Sequence, residues 1–169
     1  TEVYHKQSIE AFLETEKIRR VSIVGAGRMG GWFARYFSHL GIPVLIYDEN
    51  SEKARSKAKE LSIQVGKSLR DVAGSELVVL AIPIAKTPRA ILDLLEALDS
   101  RGSKRTKIME VSSVKSDMAR EALFEAPKKN PLKKYAVELY SIHPLFGAGA
   151  NQYAKNTIFQ VYPKNTKFI

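Results

Sequence analysis

The sequence contains no cysteine, so disulfides, thiolate metal sites and cysteine nucleophiles are excluded. It has no apolar run near the ~20 residues that a membrane helix requires and no signal peptide at its start, so we expect no membrane association. Its three histidines are spread along the chain and its carboxylates are not clustered, which argues against a metal site. The absence of thiols is consistent with a cytoplasmic location.

The 169 residues are about the size of one domain, and 44% hydrophobic and 27% charged residues are usual for a globular protein. The formal net charge is +9, and most of the basic excess lies after residue 100. A basic half can attract an anionic substrate or nucleic acid, or it can be a solvated face. The lysine pairs at 128–129 and 133–134 have little aromatic interleaving, so we expect no nucleic-acid binding.

Short apolar runs alternate with amphipathic helical stretches from residue 20 onward. The predicted strands are Val21–Val24, Val44–Tyr47 and residues 62–65, 77–82, 107–111, 136–142 and 157–161. The predicted helices are residues 28–40, Ser51–Leu61, a short one capped by Ser68 and Asp71, one that begins at Pro88 with Thr87 as its N-cap, and residues 115–124. Because the strands are apolar rather than alternating, the pattern predicts an α/β fold: a Rossmann-type doubly wound, mainly parallel sheet with helices on both faces.

Residues 1–18 precede this alternation. Ile9, Phe12 and Leu13 have helical spacing there, which predicts a short amphipathic helix followed by a linker. We expect residues 19–169 to form one dinucleotide-binding Rossmann domain. Because the first residue is Thr1 rather than Met, one hypothesis is that residues 1–18 are the tail of a preceding domain.

A glycine-rich motif joins the first predicted strand to the helix that follows. Gly25, Gly27 and Gly30 form G-x-G-x-x-G, with Arg28 and Met29 before the last glycine. The first glycine permits a tight turn, the second lets the backbone approach a pyrophosphate, and the third allows close packing of helix and strand. The phosphates are expected at the N-terminus of the helix, where N–H groups are unpaired and the helix dipole favours anions. In this context the motif predicts dinucleotide binding.

Asp48 stands at the end of the second predicted strand. A carboxylate there can accept hydrogen bonds from the ribose hydroxyls of the cofactor and would repel a 2′-phosphate, and no arginine follows before Arg55. The expected cofactor is therefore NAD rather than NADP. The alternative is that the motif supplies turn glycines and Asp48 only caps a helix.

Three further segments follow strand ends at the edge where open parallel sheets bind ligands. Ile82 and Pro83 follow one strand, and the proline can shape a loop against the cofactor. Ser113 and Lys115 follow the next strand, and His143 follows the one after. Histidine has a suitable pKa to take a hydroxyl proton during hydride transfer, and Ser113 could orient its ring. The alternatives are a loop histidine satisfied by backbone groups and an exposed lysine.

Together these motifs resemble those of the prephenate dehydrogenases of tyrosine biosynthesis. The resemblance covers about residues 20–165 and rests on the glycine motif, Val79-Leu-Ala-Ile-Pro-Ile84, Ser113-Val-Lys115 and His143-Pro-Leu-Phe-Gly147. It implies that His143 is the catalytic base toward the ring hydroxyl of prephenate, that Ser113 orients His143, and that NAD accepts the hydride. The product implied is 4-hydroxyphenylpyruvate, formed with loss of the ring carboxylate as carbon dioxide.

The family also has a helical domain that builds a homodimer and supplies an arginine to the substrate carboxylate, and we expect that domain to lie outside this chain. The resemblance implies a small dicarboxylate substrate, prephenate or arogenate, with Lys115 as a candidate contact to a carboxylate. Some members carry an N-terminal chorismate mutase, whose last helix residues 1–17 would represent. Two other interpretations stay open: another Rossmann reductase or dehydrogenase of a small acid, and a non-catalytic NAD-binding module.

Overall fold

A computed structural model of the chain describes residues 9–101, 106–111, 137–144, 147–149 and 158–162. Its helices are α1 (Ile9–Thr15), α2 (Arg28–His39), α3 (Ser51–Leu61), α4 (Leu69–Val72) and α5 (Thr87–Arg101), with a 3₁₀ turn at Ile84–Lys86. Its strands are β1 (Val21–Val24), β2 (Val44–Tyr47), β3 (Gln64–Val65), β4 (Leu77–Leu80), β5 (Thr106–Glu110), β6 (Val137–Pro144) and β7 (Ile158–Tyr162).

The strands form one sheet in the order β3-β2-β1-β4-β5-β6-β7. Every neighbouring pair from β3 to β6 is parallel, and β7 pairs with β6 in the antiparallel sense. The chain runs outward from β1 to β3, then crosses back to β4 beside β1 and continues to the other edge. The strand order therefore reverses between β1 and β4, which is where such sheets leave a crevice for a ligand. The predicted doubly wound, mainly parallel α/β fold is confirmed.

Alternate residues of the strands point into two hydrophobic clusters, one on each face of the sheet. One face joins Ile23 of β1 and Ile46 of β2 to aromatic side chains of α2. The other face joins Val78 and Leu80 of β4 to α4 and α5. Burial on both faces explains why the strands are continuously apolar.

Helix α2 contributes a compact group of aromatic side chains to the first face. Trp32, Phe33 and Phe37 are all fully buried, and Tyr36 stacks on Trp32 with ring centroids 5.3 Å apart. Complete burial of one such side chain stabilises the fold by roughly 1.5–3 kcal/mol. On the other face, α5 buries four apolar residues at helical spacing: Ile91, Leu94, Leu95 and Leu98.

Helix α1 packs on the same face as α2, over the half of the sheet that β5 and β6 form. The ring of Phe12 meets that of Tyr140 in β6 edge to face, with centroids 6.0 Å apart. Glu16 forms an ion pair with the nearly buried Lys107 of β5, with Nζ and Oε2 3.1 Å apart. Phe12 and Leu13 thus belong to the core of the sheet.

Several boundaries differ from the sequence prediction by one or two residues, and two of these differences have a clear structural cause. Thr87 was expected as an N-cap, but its backbone is helical (φ −59°, ψ −45°) because a 3₁₀ turn leads directly into α5. Strand β6 was expected to end at residue 142, but it continues to Pro144 because β7 pairs with its last residues. The predicted helix at residues 115–124 lies outside the described residues.

Candidate dinucleotide-binding site

The glycine loop between β1 and α2 lies against the chain that leaves β4. Gly25 has a φ of +109°, and a Cβ added there would lie 2.3 Å from the carbonyl oxygen of Ala81. The backbone N–H of Ala81 donates to the carbonyl of Val24 at 2.8 Å, which holds the two segments together. A side chain at Gly25 would meet both backbone strain and a backbone atom, so the turn requires glycine.

The other two glycines of the motif differ in what surrounds them. A Cβ added at Gly30 would lie 1.8 Å from the carbonyl oxygen of Gly25, so the close crossing of α2 over the loop requires glycine. A Cβ added at Gly27 would meet no heavy atom within 4 Å. Packing within the described residues therefore accounts for Gly25 and Gly30, and leaves open space beside Gly27.

Gly27 is also the N-cap of α2, and no side chain caps the helix there. The first turn of α2 contains no acidic residue. An uncapped helix start beside open space can accept an anionic group such as a phosphate, because its first N–H groups lack partners within the helix. Arg28 is exposed at the first helical position, whereas Met29 is partly buried against the core.

Asp48 connects the end of β2 to the glycine loop. Its Oδ2 accepts a hydrogen bond from the backbone N–H of Ala26 at 2.8 Å, and its Oδ1 accepts one from the N–H of Asn50 at 2.9 Å. Each carboxylate oxygen has a second acceptor position, so Asp48 can make these bonds and also accept from a ligand hydroxyl. The side chain of Asn50 then caps α3 by accepting from the N–H of Lys53.

Ile82 and Pro83 form the wall of the loop on the β4 side. The Cγ2 of Ile82 would lie 3.1 Å from a Cβ at Gly25, so Ile82 touches the glycine turn. Pro83 is exposed and begins the 3₁₀ turn, in which its carbonyl accepts from the N–H of Lys86 at 2.9 Å. Both residues therefore border the crevice between β1 and β4.

A pair of charged residues near this crevice was not identified from the sequence. Lys86 Nζ lies 2.7 Å from Glu49 Oε2, and this hydrogen bond together with the charge of Glu49 raises the pKa of Lys86. Burial and then the charges of Glu49 and Asp48 raise the pKa of Tyr47. Their positions in the sequence could have indicated this pair, because Glu49 and Lys86 follow the ends of β2 and β4, the two strands that flank β1.

His143 lies at the carboxyl edge of the sheet. The last pairing of β6 with β5 joins Ser141 to Glu110, and His143 stands two residues further along, opposite Phe159 of β7. The backbone of β6 thus carries His143 past the end of β5, toward the edge to which Asp48 and Gly25 belong. Ser113 and Lys115 lie outside the described residues.

Glu110 is a further polar residue at this edge. It is completely buried at the end of β5, between Leu80 and Ser141 in the register of the sheet. In the sequence, Glu110 stands at the end of an apolar predicted strand. That pattern does not indicate whether its side chain is buried.

A separate shallow cavity of about 370 Å³ is bordered by Arg20, Leu45, Val65, Lys67 and Asp71, beside the edge strand β3. It includes none of the predicted site residues. Within the described ranges, no group of three or more histidine, aspartate or glutamate side chains is placed to hold a metal ion. None of the helices in that part of the chain has the length and apolar character needed to cross a bilayer.

The fold and the glycine loop are those of a Rossmann-type NAD(P)-binding domain. The family described as "NADP oxidoreductase coenzyme F420-dependent" matches residues 20–111, which is more than half of the chain. The chain belongs to this family.

Curated relatives share the same region. A probable arogenate/prephenate dehydrogenase of Methanocaldococcus jannaschii is 26% identical over 129 residues, covering 75% of this chain and 26% of the relative. The T-protein of Haemophilus influenzae is 26% identical over 142 residues, covering 83% of this chain and 31% of the relative. The chain therefore spans about a quarter to a third of these relatives, and resembles an N-terminal domain of the prephenate dehydrogenase type.

Among solved structures, 3-hydroxyisobutyrate dehydrogenase of Mycobacterium tuberculosis superposes with a TM-score of 0.71 at 18% identity. The match covers 87% of this chain and 47% of that one. At this identity the likeness concerns the fold alone.

Proposed function

We propose that this chain supplies the NAD-binding domain and the catalytic base of an enzyme that converts prephenate to 4-hydroxyphenylpyruvate by oxidative decarboxylation. The observation that carries the dinucleotide part is the open space at Gly27, beside an uncapped helix start. The choice of prephenate rests on the sequence His143-Pro-Leu-Phe-Gly147, whose first residue lies at the sheet edge, and on the curated relative named arogenate/prephenate dehydrogenase.

In this proposal the backbone N–H groups of Gly27, Arg28 and Met29 face the pyrophosphate at the start of α2. Asp48 accepts hydrogen bonds from the adenosine ribose while its bonds to Ala26 and Asn50 hold the carboxylate in place. The proposal favours NAD over NADP, since a 2′-phosphate would carry about −1.5 to −2 charges toward a carboxylate. Gly25 and Gly30 hold the loop in shape around this site.

The catalytic assignment concerns the other half of the crevice, where Ile82 and Pro83 lie against the nicotinamide end of the cofactor. NAD, when bound, accepts the hydride from the ring carbon that carries the hydroxyl. His143 takes the hydroxyl proton, so that loss of the hydride leaves a ring ketone. The bond to the ring carboxylate then breaks, carbon dioxide leaves, and the released electron pair makes the ring aromatic and its oxygen a phenolate. The phenolate takes the proton back from His143, which gives the phenol of 4-hydroxyphenylpyruvate. Ser113 orients the imidazole of His143, and Lys115 contacts a carboxylate of the substrate.

The remaining parts of the proposal concern the whole protein. Residues 1–18 precede a Rossmann domain of residues 19–169, and a helical region outside this chain completes the substrate site and forms a homodimer. The substrate is a small dicarboxylate in the cytoplasm, with no nucleic-acid or membrane partner. Arogenate is the alternative substrate.

The test is cofactor reduction by the full-length protein with prephenate or arogenate, in wild type and in His143→Asn. We expect His143→Asn to lower kcat by at least about a hundredfold and to leave NAD affinity within about twofold, because the residue acts on the substrate proton. His39→Asn, which changes an exposed histidine in α2, is the matched control and keeps wild-type turnover.

Each outcome selects among the interpretations. Turnover of arogenate but not prephenate would change the substrate and keep the mechanism. NAD binding without turnover of either compound would favour another Rossmann reductase or a non-catalytic module. Unchanged turnover in His143→Asn would remove this residue from the role of base.

A further inference from the structure

An ion pair crosses the entrance of the crevice above the glycine loop. Glu49 follows β2, and Lys86 ends the 3₁₀ turn that follows β4. Strand β1 lies between β2 and β4 in the sheet, so the bond of 2.7 Å between Lys86 and Glu49 passes over the carboxyl end of β1. That end is where β1 enters the glycine loop.

Two carboxylates, those of Glu49 and Asp48, act on the ammonium group of Lys86 at this entrance. Its pKa is raised first by its hydrogen bond to Glu49, then by the charge of Glu49, and further by the charge of Asp48. Lys86 therefore lies within electrostatic reach of both carboxylates. The side chains of Lys86 and Glu49 are 58% and 74% exposed, so charge rather than packing determines where the ammonium group points.

A phosphate group in place of a ribose 2′-hydroxyl would compete for this ammonium group. Asp48 is held beside the loop by two backbone N–H groups and cannot withdraw without losing them. Lys86 is the cation bound to the neighbouring carboxylate, and the charge of Glu49 offsets the attraction of its ammonium group for a phosphate. The same lysine would favour NADP if Glu49 did not neutralise it.

We infer that Glu49 is a second determinant of the preference for NAD over NADP, acting by neutralising Lys86. The inference rests on the proposed function, in which the adenosine ribose lies beside Asp48. Glu49 contributes in two ways, because its own charge repels the 2′-phosphate and its ion pair occupies the lysine that would attract it. Asp48 alone would then leave a nearby cation available to NADP.

The test is calorimetric titration of NAD and of NADP into the full-length protein, in wild type, Glu49→Gln and Glu49→Gln/Lys86→Met. We expect Glu49→Gln to tighten NADP binding by about five- to tenfold and to change NAD binding by less than about twofold. Adding Lys86→Met should remove most of the gain. Glu14→Gln removes the same charge from an exposed site in α1, which contributes no residue to the proposed dinucleotide site, and should change neither affinity.

Ionic strength supplies an independent readout. Raising sodium chloride from about 0.05 M to 0.5 M should reduce the NADP gain of Glu49→Gln, because exposed charges are screened at shorter distances in high salt. Thermal unfolding of each variant should match wild type, which shows that the fold is intact.

No gain in NADP affinity in Glu49→Gln, or a gain that persists after Lys86→Met, would overturn the inference while NAD binding by wild type still supports the proposed site. Wild-type protein that binds neither dinucleotide would overturn both.

Discussion

The carboxylate of Asp48 accepts a hydrogen bond from the backbone N–H of Ala26 at 2.8 Å, across the 22 residues that separate them in sequence. The end of β2 is thereby joined to the glycine loop after β1. The other carboxylate oxygen binds the N–H of Asn50, so both oxygens are fixed by the backbone. An acidic side chain predicted for a ribose contact thus also maintains the shape of the loop that it serves.

The glycine loop gives the first prediction, because its second and third glycines are needed for different reasons. Gly27→Ala places a methyl group in open space and should leave the free energy of unfolding within about 0.5 kcal/mol of wild type, while weakening NAD binding by about tenfold or more. Gly30→Ala forces a methyl group onto the carbonyl of Gly25 and should destabilise the fold by about 1–3 kcal/mol.

Urea unfolding combined with NAD titration checks both variants. If Gly27→Ala bound NAD as tightly as wild type, the open space at Gly27 would not be the phosphate site. If it destabilised the fold as strongly as Gly30→Ala, the space would not be open.

The left-handed C-terminus of α3 gives a second prediction. Ser62 has φ +53° and ψ +43°, a left-handed backbone conformation that residues other than glycine adopt at an energetic cost. The N–H of Ile63 donates to the carbonyl of Ala58, which closes the end of the helix. Ser62→Gly should therefore raise the free energy of unfolding by about 0.5–1 kcal/mol. The matched control is Ser56→Gly, an exposed position inside α3, which should lower it by about 0.5 kcal/mol. Equal effects of the two variants in urea unfolding would contradict this account.

The first half of the fold could be predicted closely from the sequence. The predicted bounds of β1, β2 and α3 agree with the structure, because buried parallel strands are continuously apolar and turn residues or caps mark their ends. The buried apolar residues of α5 likewise recur at helical spacing in the sequence. Local pattern is sufficient where each element is bounded by its own residues.

The prediction was incomplete where the structure depends on contacts between distant segments. Thr87 and Pro88 have the pattern of a helix start, but helical backbone already begins in the 3₁₀ turn at Ile84–Lys86. The extension of β6 through His143 depends on pairing with β7. An apolar run in the sequence does not indicate whether its strand pairs in the parallel or the antiparallel sense. The bond between Lys86 and Glu49 joins residues 37 apart.

The contact between α1 and β5 gives a third prediction. The side chain of Lys107 is 5% exposed, and Glu16 is its partner at 3.1 Å. Glu16→Gln should lower the free energy of unfolding by about 1–2 kcal/mol, because a nearly buried ammonium group loses an anionic partner. Glu14→Gln, in an exposed position of the same helix, should have little effect.

The double variant Glu16→Gln/Lys107→Met separates the pair from packing. Lys107→Met removes the nearly buried ammonium group that Glu16 neutralises, so the double variant should be more stable than Glu16→Gln alone. Additive losses in a double-mutant cycle would show that the two side chains do not interact.

Tyr36 gives a prediction on pH dependence. Burial, followed by the hydrogen bond and the charge of Glu10, raises the pKa of Tyr36 above its ordinary value of 10.0. The unfolded chain therefore releases this proton first, so the contribution of Tyr36 to stability is complete below pH 10 and declines as pH rises beyond it. The stability difference between wild type and Tyr36→Phe should shrink between pH 9 and pH 11. A difference that stays constant over that range in urea unfolding would show that the hydroxyl titrates alike in both states.

The central claim is that the crevice beside Gly27 and Asp48 binds NAD. The most direct measurement is calorimetric titration of NAD and of NADP into the wild-type full-length protein, with Gly27→Ala titrated in parallel. The account predicts one NAD per chain, NADP binding weaker by at least about tenfold, and strongly reduced binding in Gly27→Ala. Absence of NAD binding, or tighter binding of NADP than of NAD, would contradict it.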